Sequence, residues 1–169
     1  MRASLRGFVL ATALAAASSV SLVAQHPQTR DGFWFSLGMG YGSLGCFGCG
    51  GGRVGGLSGG LSLGWTVNPR LLLGVGTTGW IDAAGYTSAG TLDARVRFYP
   101  KATGRFFVTG GAGLGTISGE RGLGLLGGVG YDLRLGGAAS LTPYVNLMLI
   151  EAGGRSTNVG QAGLAVTLQ

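Results

Sequence analysis

The sequence predicts an all-β protein: eight antiparallel strands closed into an up-and-down barrel that crosses a membrane, preceded by a cleavable signal peptide. Three observations carry this. Apolar residues recur at every second position in segment after segment, the period of a strand with two unlike faces and not of a helix. The 169 residues include 12 basic and 6 acidic side chains, 11% charged, where a soluble domain carries about 25%. There are also 37 glycines, which interrupt every long uncharged stretch after the N-terminus. Each costs about 1 kcal/mol relative to alanine in a helix. An apolar content of 46% argues against a disordered chain, and no Gly-X-Y period marks a collagen.

Residues 1–24 read as the signal peptide. Arg2 and Arg6 give a basic start, Gly7 to Val23 is uncharged and apolar, and cleavage is expected after Ala24. A membrane anchor would need about 20 apolar residues. This stretch is shorter, rich in Ala and Ser, and followed by polar His26-Pro27-Gln28. No cysteine follows it to accept a lipid, and the exported chain is mildly basic. Residues 25–31 form a short N-terminal segment, and 32–169 the barrel.

The strands are expected at 32–43, 53–66, 71–81, 90–99, 105–117, 122–135, 140–151 and 157–168. Each is near the roughly 9–11 residues a tilted strand needs to cross a bilayer. In the fourth, Leu92, Ala94, Val96 and Phe98 share one face, and Thr91, Asp93, Arg95, Arg97 and Tyr99 the other. In the sixth, Leu123, Leu125, Val129, Tyr131, Leu133 and Leu135 oppose Gly122, Gly124, Gly128, Gly130, Asp132 and Arg134, with Leu126 out of pattern. The eighth alternates Leu164, Val166 and Leu168 with Gly163, Ala165 and Thr167. Short turns with Pro, Gly and Asn chemistry at 68–70, 101–104 and 136–139 alternate with longer connections at 44–52 and 82–89 and smaller ones at 118–121 and 152–156.

Charge decides which face meets water. A soluble lipocalin-like barrel is apolar inside, and a membrane barrel is the reverse. The non-apolar face is mostly Gly, Ser and Thr, with five clear charges: Asp93, Arg95, Arg97, Asp132 and Arg134. Five charges do not solubilise a barrel exterior, but they suit a lumen where acids and bases pair. Gly111, Gly113 and Gly115 of the intervening strand put nothing bulky between the two sets of charges, and Arg97 is expected to pair with Asp132, since both lie two or three residues from the short-turn ends of their strands. On the apolar face, Phe33, Phe35, Trp65, Phe98, Phe106 and Tyr131 all fall near the ends adjoining the short turns or the N-terminus, as an interfacial girdle would.

On this pattern residues 32–168 resemble the small eight-stranded outer-membrane barrels of the OmpA and OmpX type. The resemblance rests on alternation and turn spacing and on no specific motif. It implies a protein of a Gram-negative-type outer membrane, short turns in the periplasm and longer loops outside. It also implies outer-membrane lipid, lipopolysaccharide and the outer-membrane assembly machinery as partners. The chain departs from the family in ending Thr167-Leu168-Gln169, where such chains commonly end in an aromatic residue read by that machinery. Either Leu168 suffices as the signal, or the signal is atypical.

Sites of chemistry are sparse. Cys46 and Cys49, in Cys-Phe-Gly-Cys, are expected to form a local disulfide outside the cytosol. The β-α-β setting of a redox motif and the four ligands of structural zinc are missing. The dinucleotide pattern G-x-G-x-x-G starts at Gly40, Gly50, Gly74 and Gly122, as frequent glycine would produce by chance, and no helix is expected after any of them. No cofactor or metal is expected. Some barrels of this size act on lipid A through His and Ser, but His26 precedes the first strand, so no enzyme is expected. Arg53, Arg121 and Arg155 adjoin the outer side and are placed to meet anionic headgroups; solvated surface charge is the equal alternative. No basic patch with stacking aromatics points to nucleic acid. The expected role is a non-enzymatic structural, envelope or surface-interaction barrel. The alternatives are a narrow polar channel or small-solute binder using the charged lumen, and a secreted soluble calycin-like binding barrel.

Overall fold

The computed structural model of the protein describes residues 30–46 and 52–169. They form β1 (Phe33–Cys46), β2 (Val54–Asn68), β3 (Leu71–Asp82), β4 (Ser88–Phe98), β5 (Phe106–Ile117), β6 (Glu120–Tyr131), β7 (Leu133–Gly136), β8 (Ala139–Ala152) and β9 (Arg155–Leu168). The signal peptide, His26 and Cys49 lie outside the described residues, whereas Cys46 ends β1.

Every pairing is antiparallel, and each strand pairs with the next except β6 with β7. β6 and β7 both pair with β8 and act as one stave interrupted at Asp132. The nine strands therefore make eight staves. The β1–β9 pairing, from Phe35↔Leu168 to Cys46↔Thr157, completes the circle and leaves no sheet edge. Closure matters here because a backbone in lipid has no water to satisfy its polar groups.

Alternation assigns the two faces. Leu37, Met39, Leu57, Leu92, Leu114 and Val145 are each more than half exposed, although they sit mid-strand on five different staves. A soluble monomer rarely exposes apolar patches beyond a few hundred Å². An apolar belt of this kind belongs in lipid, and the soluble alternative fails on it. Leu126 faces inward and is buried, so its position is no break in register; it is the bulky residue among the inward glycines of β6.

Two connections are tighter than the sequence suggests. β5 passes to β6 through Ser118 and Gly119 alone, and β8 to β9 through Gly153 and Gly154. All four have positive φ (46°, 92°, 57° and 73°), the geometry of a two-residue type I′ hairpin. Residues expected in loops, including Arg121 and Arg155, are therefore in strands.

Inside, two apolar clusters fill the ends. Trp34, Leu72, Tyr99 and Phe107 pack at the short-turn end. Trp80, Ala89, Met148, Ile150, Ala152 and Val159 pack toward the opposite end.

Candidate functional site: the barrel lumen

Between the two clusters the inward positions are polar. Arg95 and Asp93 face inward from β4, two residues apart, and form a bidentate ion pair: Nε donates to Oδ1 at 2.8 Å and Nη2 to Oδ2 at 2.7 Å. Nη2 also donates to Thr78 Oγ1, and Thr91 Oγ1 donates to Asp93 Oδ2. Glycine makes this possible. A Cβ on Gly76 would strike the Arg95 guanidinium, and one on Gly111 the Asp93 carboxylate.

Asp132 is wholly buried at the short-turn end. Its Oδ2 accepts from Tyr99 Oη and its Oδ1 from Thr142 Oγ1, both at 2.8 Å. Thr142 lies 3.0 Å from Thr167 Oγ1, and Thr167 lies 2.9 Å from Ser36 Oγ. A hydroxyl has one proton. Thr142 spends its own on Asp132, so Thr167 donates to Thr142 and Ser36 to Thr167, and the chain runs one way across β1, β9 and β8 into the carboxylate. Gln169 Nε2 adds a bond to Tyr99 Oη.

Arg30 covers this network from below. It is buried before β1, its guanidinium 3.3 Å from the centre of the Tyr99 ring. It donates to the carbonyls of Pro69, Ala102 and Gly104, tying two turns together. Burial lowers the Arg30 pKa, opposed by the charges of Tyr99 and Asp132. Burial likewise raises that of Tyr99.

Arg97 does not pair with Asp132, contrary to the expectation. The glycines of β5 that were to leave room lie further along the strand; opposite Arg97 stands Thr109, followed by the inward ring of Phe107, which packs over Gly130. The guanidinium instead sits 4.2 Å from the Phe107 ring centre and 4.8 Å from that of Trp34. Its Nε and Nη1 are buried without a hydrogen-bond partner. Each of the two desolvated cation–π contacts contributes about 2 kcal/mol, but taking an ion out of water costs several kcal/mol unless its hydrogen bonds are replaced, and those of Nε and Nη1 are not. Arg97 is therefore incompletely compensated.

Arg134, on β7, shares the inward side with Asp132, is half-buried near the rim, and opposes Arg30 electrostatically. Of the expected girdle, Phe33, Trp65, Phe98, Phe106 and Tyr131 point outward and are exposed, with Phe35 half-buried. Phe33 pairs with Trp65 and Phe106 with Tyr131 across neighbouring strands. Sequence reasoning placed Tyr99 on the polar face but gave it no role, and it left Arg30 in a featureless segment. Nothing periodic marks Arg30, since its partners are carbonyls of distant turns.

A closed eight-stranded antiparallel barrel, apolar outside and polar within, has the fold of the small outer-membrane β-barrels. Among solved structures the chain is similar to Neisserial surface protein A (NspA), with TM-score 0.60 and 16% identity, over 80% of this chain and 96% of that one. It is also similar to Ail, the attachment invasion locus protein of Yersinia pestis, with TM-score 0.60 and 9% identity, over 82% of this chain and 100% of that one. A structure of Ail with the heparin analogue sucrose octasulfate gives TM-score 0.55 at 11% identity, over 82% and 100% of the two chains. At these identities the likeness is one of fold. No protein-family model and no curated protein sequence matches the chain.

Proposed function

We propose that the protein is a non-enzymatic barrel of a Gram-negative-type outer membrane with a structural, envelope-stabilising or surface-interaction role. The filled lumen carries this reading. Apolar clusters occupy both ends, and the space between them is a cavity of about 40 Å³, room for a few waters and not for a permeating solute. The lumenal carboxylates are engaged structurally, Asp93 by Arg95 and Thr91 and Asp132 by Tyr99 and Thr142, where a substrate would not reach them. The outward aromatics at the short-turn rim serve as the periplasmic girdle, and Leu168, outward beside Phe35, as the residue presented to the assembly machinery.

Arg121 and Arg155 are exposed at the opposite rim and would meet lipopolysaccharide or another polyanion. Arg53 is less available: it donates to Ser43 Oγ and Asn158 Oδ1. Sucrose octasulfate, which Ail holds, is a convenient first probe. Equal retention of lipopolysaccharide by the wild type and by an Arg53→Gln, Arg121→Gln, Arg155→Gln variant would remove this part of the reading.

The primary test is a heat-modifiability gel on the washed outer-membrane fraction, followed by planar-bilayer conductance. A heat-dependent band in that fraction with no steady current is expected. Recovery in the soluble fraction would overturn the membrane role. Steady current that changes selectivity in an Arg95→Gln variant would favour the narrow polar channel.

A further inference from the structure

We infer that the lumenal cavity is a binding site for one small monovalent anion of halide size, held by Arg97. The cavity is lined by two buried arginines, Arg95 and Arg97, and by no carboxylate, with Thr109, Asn146 and Gln161 among its remaining walls. The two arginines are not equivalent. Asp93 neutralises Arg95 by a bidentate pair, so that charge is satisfied within the protein. Arg97, 5% exposed, bonds to no carboxylate, and its Nε and Nη1 have no partner. Ring faces hold the guanidinium from Trp34 and Phe107, but they accept none of its N–H hydrogens.

A second residue points to the same space. Gln161 is 3% exposed on β9, and both its Nε2 and Oε1 lack partners. Asn146 Oδ1 on the same wall is likewise buried without a partner, whereas Thr109 Oγ1 donates to Val96 O and Thr78 Oγ1 accepts from Arg95. Unpaired donors of Arg97 and Gln161 and unpaired oxygens of Gln161 and Asn146 thus belong to residues lining one lumenal space, and buried polar groups call for partners there. Water would satisfy the hydrogen bonds of Gln161 but would give the Arg97 guanidinium no contact with an anion. An anion accepting from Arg97 and from Gln161 Nε2 answers the charge, and a water beside it serves the oxygens of Gln161 and Asn146. A volume of about 40 Å³ admits a halide with a water, and it is too small for a sugar phosphate or a lipid headgroup. The site concerns the barrel interior and stands independently of any surface role.

Bromide is the direct probe. Protein refolded in halide-free detergent and crystallised from sodium bromide should show an anomalous peak in the cavity beside Arg97. Bromide confined to the outer surface, with only water in the cavity, would overturn the inference. In solution, the unfolding midpoint read by gel shift should rise with chloride or bromide over gluconate at equal ionic strength, as binding to the folded state alone requires. Arg97→Gln should abolish that halide dependence. Should this variant fail to fold, Gln161→Leu, which keeps the cation and removes one donor, should weaken apparent halide affinity severalfold. The same halide dependence in the variants as in the wild type would refute the site.

Discussion

The residue that organises the short-turn end is Asp132. Its two oxygens take bonds from Tyr99 and Thr142, and through Thr142 they set the direction of the hydroxyl chain to Thr167 and Ser36. Removing the carboxylate leaves buried donors unsatisfied at a cost of about 1–3 kcal/mol. Asp132→Ala should therefore lower the urea midpoint of the refolded barrel in lipid vesicles, and an unchanged midpoint would show that the network is dispensable. Tyr99 also confers a pH dependence with a definite sign. Burial raises its folded-state pKa, whereas an unfolded tyrosine ionises near about pH 10. Above that pH the unfolded chain releases the proton first, so its contribution is complete below about pH 10 and lost as pH rises toward the folded pKa. Alkaline titration of unfolding should show stability falling faster for wild type than for Tyr99→Phe.

Within the strands, inward glycine is a packing device. β6 carries Gly130 where the Phe107 ring lies, and a Cβ there would overlap ring carbons. Gly130→Val is expected to destabilise by about 1–3 kcal/mol through overpacking, whereas a change at outward Gly127, which faces open space, is expected to be far milder. Paired equilibrium unfolding of the two variants separates packing from loss of a flexible residue. Among the hairpins, the β5–β6 turn holds Ser118 at φ 46°, a conformation glycine adopts without strain. Ser118→Gly should leave stability unchanged or raise it slightly; a drop of more than about 1 kcal/mol would mean that the turn is not the I′ type.

For the whole molecule, the outer face and the lumen obey opposite rules, and the lipid position tests both. Trp65 is 61% exposed on the outside near the short-turn rim, whereas Trp34 and Trp80 are buried in the lumen. Brominated lipids should therefore quench mainly Trp65, and bromines near the headgroup should quench it more than bromines at the chain ends. The opposite depth order would remove Trp65 from the girdle. The stability of so glycine-rich a sheet rests on closure, because all strands are paired and the bilayer offers opened edges no hydrogen-bonding alternative.

The period of two in segments such as Leu92–Phe98 determined the eight staves and their two faces, though not the break at Asp132 that divides the sixth, because alternation is a local property that every inward–outward strand must write into its sequence. The scarcity of charge settled which face meets lipid. Strand ends were less legible: Gly153-Gly154 and Ser118-Gly119 form hairpins shorter than composition suggested, since a glycine-rich stretch can be either a turn or a strand end. Lumenal partners were not legible at all. Asp93 and Arg95 lie two residues apart and pair locally, whereas Arg97 sits over the ring of Phe107 from another strand and Asp132 is taken by Tyr99 and Thr142. Arg30 meets carbonyls 39 and 72 residues away. Which inward side chains meet is set by strand register and barrel closure, so only the tertiary structure decided how the charges of the lumen are compensated and which one is left waiting for a partner.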